Sequence, residues 1–201
     1  ENFKLLPGHD LTPITVDQCK FIHKLITESP VPINKTIETG FAFGRSAFAI
    51  MSATVDKPHI AIDPFQEEVF ENLGIFNLKQ NGIYMDKRFT HINRRSEFAL
   101  PALVTLSSGV GYYGFAFVDG DHTFEGSMLD FIYLSQLLHV GGLIVFHDTW
   151  LKAIKQIRTH ILTNRDDFKE VNVPEKPYYN MFVFKKVKEK TTKKYDEFKN
   201  F

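Results

Sequence analysis

The chain has 201 residues, of which 43% are hydrophobic and 24% charged, and its 24 basic residues balance its 24 acidic ones. This composition is typical of a folded globular protein, and the even charge argues neither for nor against a nucleic-acid or membrane partner. The single cysteine excludes an intrachain disulfide and a cysteine-based zinc site, and no apolar stretch approaches the roughly 18–20 residues of a membrane span.

Length and composition also bound the domain organisation. We expect one domain over residues 1–186, because a chain of this size can bury a substantial core without disulfides or structural metals. An N-terminal helix is predicted at about 11–29, with Thr12 as its cap. The Lys-rich tail, 187–201, is expected to be a solvated end. The lone cysteine fits a reducing compartment, so we expect a cytoplasmic protein.

Strand-like and helix-like segments alternate from about residue 35 to residue 170. The strand-like runs are 35–40, 58–65, 88–93, 113–120 and 143–148, and the helix-like runs after them are 44–55, 66–82, 96–106, 123–142 and 150–162. Five such units predict a parallel sheet with right-handed crossovers and helices on both faces. Two further strands, 168–173 and 179–186, have no helix between them and predict an antiparallel hairpin at one edge.

Each of the five parallel strands is followed by polar or glycine-rich residues. The residues at these strand ends are 38–46, 63, 96–97, 119–122 and 147–150. The carboxyl ends of parallel strands share one edge of the sheet, where open α/β sheets bind their ligands. We therefore expect one site built from all five loops.

The first two loops indicate the kind of ligand. Gly40 and Gly44 lead into a helix N-terminus, where a close backbone approach and free N–H groups favour an anion. Asp63 ends the next strand, where a carboxylate can accept both hydroxyl hydrogens of a ribose. Together they predict an adenosine-containing ligand. The Gly-x-Gly-x-x-Gly fingerprint of dinucleotide-binding proteins is absent from this loop.

The stretch ETGFAFGRS, 38–46, resembles motif I of class I S-adenosylmethionine-dependent methyltransferases, in the form found in catechol and caffeoyl-coenzyme A O-methyltransferases. The later motifs of that family are similar to IAIDPF, RRSEFALPAL, FAFVDGDHTF and LLHVGGLIVFHDTW. The resemblance spans 36–150, and its last two motifs are most like the macrocin-type sugar and cephalosporin-biosynthesis branch. It implies a Rossmann-like, doubly wound, mostly parallel seven-stranded sheet with an antiparallel C-terminal strand. It also implies S-adenosylmethionine-dependent O-methylation of a small-molecule hydroxyl.

The resemblance assigns roles to individual residues. The expected cofactor-binding residues are Glu38, Gly40, Phe41, Gly44, Ser46, Asp63, Ser96 and Asp119. The catalytic residues it implies are His122, at the position of the family's base, and Asp119. In metal-dependent members two acids hold Mg²⁺ or another divalent cation, and the matching residues here are Asp119 and Asp148. His147 and Thr149 are further candidate ligands.

Several roles stay open at this point. His122 is either the base or part of the cap of the following helix. Asp121 is either an extra ligand or a helix cap, and Trp150 either lines the acceptor pocket or packs in the core. His147 is a ligand, a base or a partner that orients Asp148.

Three other functions compete with methylation of a small molecule. A nicotinamide-dependent oxidoreductase would share the glycine loop and Asp63. A nucleic-acid methyltransferase has only the Lys-rich tail in its favour, and a non-catalytic cofactor-binding module would share every motif. The expected partner is a small-molecule acceptor, with no nucleic acid and no membrane, and a homo-oligomer is left open.

Overall fold

A computed structural model describes residues 3–9, 14–83, 87–107, 111–173, 180–191 and 197–201. Its helices are α1 (Val16–Thr27), α2 (Arg45–Ala53), α3 (Leu73–Gln80), α4 (Ser96–Leu106), α5 (Phe124–Leu137) and α6 (Lys152–Asn164). Its strands are β1 (Thr36–Thr39), β2 (His59–Ile62), β3 (Phe89–Ile92), β4 (Tyr113–Val118), β5 (Leu138–Phe146), β6 (Phe168–Glu170) and β7 (Phe182–Lys186). Within these described ranges, none of the helices has the length and apolar character that crossing a bilayer requires.

The seven strands form one sheet in the order β3-β2-β1-β4-β5-β7-β6. Strands β1 to β5 pair in parallel, whereas β7 is antiparallel to both β5 and β6. The predicted fold class is therefore confirmed, including the antiparallel strands at the C-terminal end. The chain order reverses between β1 and β4, and such a reversal places a ligand crevice at the carboxyl ends of these two strands.

Helices cover both faces of the sheet because successive side chains of a strand point to opposite sides. On β4, Ala116 and Val118 pack in the cluster that includes α4, α5 and α6. Phe115 and Phe117 face the other way and pack with α1 and α2. All four residues are fully or almost fully buried. Strands that are apolar on both sides are expected for a parallel sheet covered on both faces.

The predicted helix over 66–82 is wrong in its first half. Residues 64–72 form turns and bends, and α3 begins only at Leu73. Glu71 and Asn72 have left-handed φ values of 49° and 56°, which no α-helix continues through. In this non-helical segment the side-chain amide of Gln66 donates to the Ala42 carbonyl at 2.6 Å.

The predicted helix over 123–142 is also wrong at its C-terminal end. Helix α5 ends at Leu137, β5 begins at the next residue, and both glycines lie inside β5. Gly141 has φ +95°, and a Cβ there would lie 2.8 Å from the Val31 side chain. The glycines thus allow close packing where the β4–β5 register shifts. Thr123 caps the start of α5, where its hydroxyl accepts the Gly126 N–H at 3.1 Å.

The start of α1 and the C-terminal tail are each stabilised by a reciprocal pair of polar contacts. Helix α1 begins at Val16 with Thr15 as its cap, and the predicted cap, Thr12, lies outside the described residues. The described residues of the C-terminal tail are exposed apart from the half-buried Val187, and Lys199 contacts α6. The Asn164 side-chain amide on α6 donates to the Lys199 carbonyl, and its oxygen accepts the Lys199 N–H, each at 2.8 Å.

Candidate active site

The site is centred on the junction between β1 and β4. Thr39 and Val118 are paired at the last register position of these strands, and Asp119 N–H donates to the Thr39 carbonyl at 2.9 Å. Gly40 follows Thr39 with φ +82°, and a Cβ at this position would lie 2.1 Å from the Asp119 carbonyl oxygen. Glycine is required here, because the first loop and the Asp119 loop touch through their backbones.

The loop after β1, residues 40–44, is called the glycine loop below. Buried side chains from the segment after β2 hold its backbone. Asp63 Oδ2 accepts the N–H groups of Phe41 and Ala42 at 2.9 and 2.8 Å, and the Asn77 side chain donates to the Phe43 carbonyl at 3.1 Å. The loop's shape therefore depends on polar contacts with its neighbours as well as on its two glycines.

A cavity of about 670 Å³ lies at the carboxyl edge of the sheet. The residues that line it come from the segments 14–18, 39–46, 62–65, 95–97, 119–122 and 147–148, together with Phe70 and Asn180. All five strand-end loops predicted to converge therefore meet at one cavity. Its volume falls in the range of roughly 300–1,000 Å³ that is usual for small-molecule sites.

Most of the predicted site residues reach this cavity. Those that line it are Gly40, Phe41, Ser46, Asp63, Ser96, Asp119, His122, His147 and Asp148. Gly44, Thr149 and Glu38 do not belong to the lining. The Glu38 side chain is fully buried, and its Oε1 lies 3.3 Å from Nε2 of the buried His59 on β2. The Thr149 hydroxyl instead donates to Asn180 at 2.9 Å.

Two carboxylates and two imidazoles form a cluster at one end of the cavity. His147 Nδ1 lies 3.0 Å from Asp119 Oδ1 and 3.3 Å from Asp148 Oδ1. His122 Nε2 lies 3.4 Å from Asp119 Oδ1 and 3.4 Å from Asp148 Oδ2. Each carboxylate is thus shared by both histidines, and the predicted approach of Asp119 to Asp148 is present in the structure.

The cluster shifts the pKa of three of its members. Burial opposes the charged form of His147, but its contacts with both carboxylates outweigh burial and raise its pKa well above the ordinary value. Burial likewise opposes ionisation of Asp148, yet His147 beside it keeps the pKa of that carboxyl low. The hydrogen bond to Asp119 raises the pKa of His122, against the effect of its partial burial. Such grouped shifts in a cavity are typical of functional sites.

Two contacts of this cluster were not found from the sequence. Gln18 on α1 places its Nε2 2.9 Å from His147 Nε2, and Asn180 donates to Asp148 Oδ1 at 3.0 Å. The Gln18 oxygen accepts the Thr15 N–H at 2.7 Å, so its NH₂ group faces the imidazole. A charged His147 therefore requires the Gln18 amide to turn over and release Thr15. A capping-box pattern predicts only that Gln18 contacts Thr15, so the sequence carries no signal for either contact with the cluster.

The donor set of the cluster fits a divalent cation. Ligand atoms of Asp119, His122 and Asp148 all lie within 4.8 Å of one another. Carboxylate oxygens suit Mg²⁺ and Mn²⁺, and the imidazole nitrogen is compatible with a transition metal such as Mn²⁺. The Oδ1 of Asp121 accepts the Thr123 N–H at 2.9 Å at the start of α5, a contact that fits the helix-cap alternative for this residue.

Comparison with known proteins adds family evidence to this geometry. A family model described as a methyltransferase domain matches residues 37–149. The uncharacterized protein R132 of Acanthamoeba polyphaga mimivirus is 30% identical over 117 residues, which are 56% of this chain and 50% of that protein. The chain therefore spans about half the length of the curated relative it matches.

Solved structures share the fold at low sequence identity. The SAH-bound Podospora anserina methyltransferase PaMTH1 is 15% identical, with a TM-score of 0.69 over 91% of this chain and 83% of that one. The O-methyltransferase TomG from Streptomyces achromogenes, in complex with SAM, is 20% identical, with a TM-score of 0.66 over 87% of this chain and 81% of that one. At these identities the likeness supports the architecture described above.

Proposed function

Because the chain belongs to the methyltransferase-domain family, we propose that it is an S-adenosylmethionine-dependent methyltransferase that methylates a hydroxyl group of a small molecule. One observation carries the proposal: the same cavity holds the glycine loop, the ends of five strands and a histidine–carboxylate cluster. A methyl-donor site and a group that accepts a proton are thereby adjacent. The PaMTH1 structure contains SAH, and TomG is an O-methyltransferase in complex with SAM, which agrees with this function.

The cofactor half of the cavity is formed by the glycine loop and the starts of two helices. Ser46 lies in the first turn of α2, and Ser96 is the first residue of α4. The first N–H groups of a helix have no partner within it, and they favour the carboxylate of an amino acid. We expect Gly40, Phe41, Ser46, Ser96 and Asp119 to contact the cofactor.

The acceptor half is where a proton must be removed. When bound, the cofactor supplies an electrophilic methyl group, and its sulfur keeps the bonding electrons as the new oxygen–carbon bond forms. His122 takes the hydroxyl proton at Nε2, where Asp119 and Asp148 stabilise the resulting positive charge. The His122 side chain is 45% exposed, so it can return the proton to solvent.

A cation held by the two carboxylates alone would act at the same place and would leave His122 free to take the proton. Asp119 and Asp148 are the residues that would hold Mg²⁺ or Mn²⁺, and such an ion lowers the pKa of a hydroxyl that it contacts. His147 is the most buried member of the cluster, with a side chain 11% exposed, and it orients both carboxylates. His122 is the better base of the two histidines because more of its side chain is accessible.

Ligand binding and turnover test this function separately. S-adenosylhomocysteine should raise the melting temperature of the wild type, whereas NAD and RNA should not. His122→Ala should keep that shift but lower turnover on catechol or sugar acceptors at least about a hundredfold. The control is His23→Ala, an exposed histidine on α1, which should keep full turnover.

Three results would contradict the proposed function, and a fourth would change only the assignment of the base. A shift with NAD alone would favour the oxidoreductase, and a shift with RNA would favour the nucleic-acid methyltransferase. Binding of S-adenosylhomocysteine without methyl transfer to any hydroxyl acceptor would favour the binding module. Retained turnover in His122→Ala would remove that residue from the mechanism and make His147 the candidate base.

A further inference from the structure

Asp63 has little hydrogen-bonding capacity left for a ligand. Its Oδ2 accepts the N–H groups of Phe41 and Ala42 at 2.9 and 2.8 Å, and its Oδ1 accepts the Phe65 N–H at 2.7 Å. A carboxylate offers about four acceptor positions, so three of them are occupied by backbone groups. A ribose presents two hydroxyl donors, and Asp63 has one position for them.

These backbone donors are also what stabilises the charge of Asp63. The residue is only 3% exposed. Among the described residues, no Lys, Arg or His side chain forms an ion pair with its carboxylate. A buried carboxylate needs hydrogen bonds to remain charged, and here three N–H groups provide them. Turning the carboxylate toward a ligand would remove that support.

The glycine loop in turn depends on Asp63. Ala42 has φ +41°, a left-handed conformation that alanine rarely adopts. Asp63 holds the N–H of Ala42, and Gln66 holds its carbonyl at 2.6 Å. Both polar groups of this strained residue are thus held by buried side chains from the segment after β2.

We propose that Asp63 is a positioning residue: it keeps the glycine loop in its cofactor-binding shape and does not hold the two ribose hydroxyls as a pair. The inference rests on the proposed function, since it concerns how that site recognises its cofactor. Phe41 and Ala42 both line the cavity, so a loop that relaxes at Ala42 changes the surface that the cofactor meets. Asp63 therefore acts on cofactor affinity through the loop.

A binding cycle separates positioning from direct contact. The ligands are S-adenosylhomocysteine and its 2′-deoxy and 3′-deoxy analogues, measured by calorimetry on the wild type and on Asp63→Asn. We expect Asp63→Asn to lower the affinity for S-adenosylhomocysteine at least tenfold. The penalties for removing the 2′ and the 3′ hydroxyl should not both shrink in Asp63→Asn, because Asp63 has one free acceptor position and cannot pair with the diol. Penalties of tenfold or more for both deoxy analogues that both disappear in Asp63→Asn would overturn the proposal.

A rescue variant provides a second readout. Glycine adopts the Ala42 conformation without strain, so Ala42→Gly added to Asp63→Asn should recover at least threefold in affinity. The matched control is Asp56→Gly, which relieves a φ of +61° in an exposed turn away from the cavity and should recover none. No recovery with Ala42→Gly would show that the lost affinity came from a contact with the ligand.

Gln66→Leu keeps the test decisive if Asp63→Asn does not fold. Gln66 is fully buried, and its side-chain amide donates to the carbonyl of Ala42 in the glycine loop. It does not line the cavity, so we expect it to change cofactor affinity only through the glycine loop. We expect a loss of at least threefold, and unchanged affinity in a folded Gln66→Leu would contradict the proposal. Absence of S-adenosylhomocysteine binding in the wild type would instead refute the proposed function, which is a different result from a deoxy penalty that depends on Asp63.

Discussion

Replacing Gly40 by alanine tests the contact on which the whole site is built. The backbone of Gly40 has φ +82°, and the new Cβ would lie 2.1 Å from the Asp119 carbonyl oxygen and 2.8 Å from Gly120 N. Both obstacles are backbone atoms of the neighbouring loop, so no flexible side chain can move aside. Gly82 is a matched control, because it has φ +77° but nothing within 4 Å of its Cβ position.

The two variants should differ by the steric contribution alone. The left-handed conformation costs an alanine about 1–2 kcal/mol at either position. Overpacking typically adds a further cost of about 1–3 kcal/mol, and only Gly40→Ala introduces such a clash. We therefore expect Gly40→Ala to lose about 2–5 kcal/mol of unfolding free energy and Gly82→Ala about 1–2 kcal/mol. In a chain of this size, a difference of about 2 kcal/mol lowers the melting temperature by roughly a further 4–8 °C.

Urea unfolding followed by circular dichroism measures the stability of both variants, and calorimetry measures their affinity for S-adenosylhomocysteine. Gly82→Ala should bind like the wild type, whereas Gly40→Ala should bind at least tenfold more weakly, because the glycine loop and the Asp119 loop must separate. Equal losses of stability in the two variants would refute the reasoning. So would an intact affinity in Gly40→Ala.

Three further outcomes follow from the site and its surroundings. Asp130 is fully buried, and burial raises its pKa to about 6 against the opposing effect of the Ser96 and Thr39 hydroxyls. Because the folded pKa lies above the unfolded one, the carboxyl destabilises the fold above pH 6 but not below its unfolded pKa of about 4. Asp130→Asn should thus gain about 3 kcal/mol at pH 8 and little at pH 4 in urea unfolding, and an equal change at both would contradict this. The pKa of His122 is raised above 6.5, so kcat/KM should rise with pH along a limb centred above pH 6.5, and a flat profile would remove it as the base. Mn²⁺ measured by calorimetry should bind the wild type and bind Asp119→Asn at least about tenfold more weakly, whereas equal binding would place the cation elsewhere.

The sheet was predictable because its strands carry a local signal. Strands β1, β2 and β4 are short runs rich in β-branched or apolar residues, and they are followed directly by Gly40, Asp63 and Asp119. The wrongly predicted helix boundaries fall where a residue contacts a partner that is distant in the sequence. The predicted helix over 66–82 fails at Gln66, whose side chain contacts Ala42, and the predicted helix over 123–142 fails at Gly141, which lies against Val31.

The candidate site divides in the same way. Asp119, His122 and Asp148 were predicted together, because each follows the end of a buried strand. Gln18 and Asn180 were missed, since they reach the cluster from α1 and from the segment before β7, and their own neighbours in the sequence carry no chemical motif. Position in the sheet is readable from a sequence, whereas the partner that a loop or helix brings in is not.

The indole of Trp150 gives the site an optical property of its own. It is the single tryptophan of the chain, 65% exposed, and its N–H donates to Asp148 Oδ1 at 3.1 Å. Excitation at the long-wavelength edge of the indole absorption, where the seven tyrosines absorb little, therefore selects a single fluorophore. This fluorophore is hydrogen-bonded to one carboxylate of the cluster. Any ion or acceptor that takes Asp148 away from the indole changes the emission of the whole protein. The unlabelled chain thus carries its own fluorescent reporter of acceptor-side occupancy.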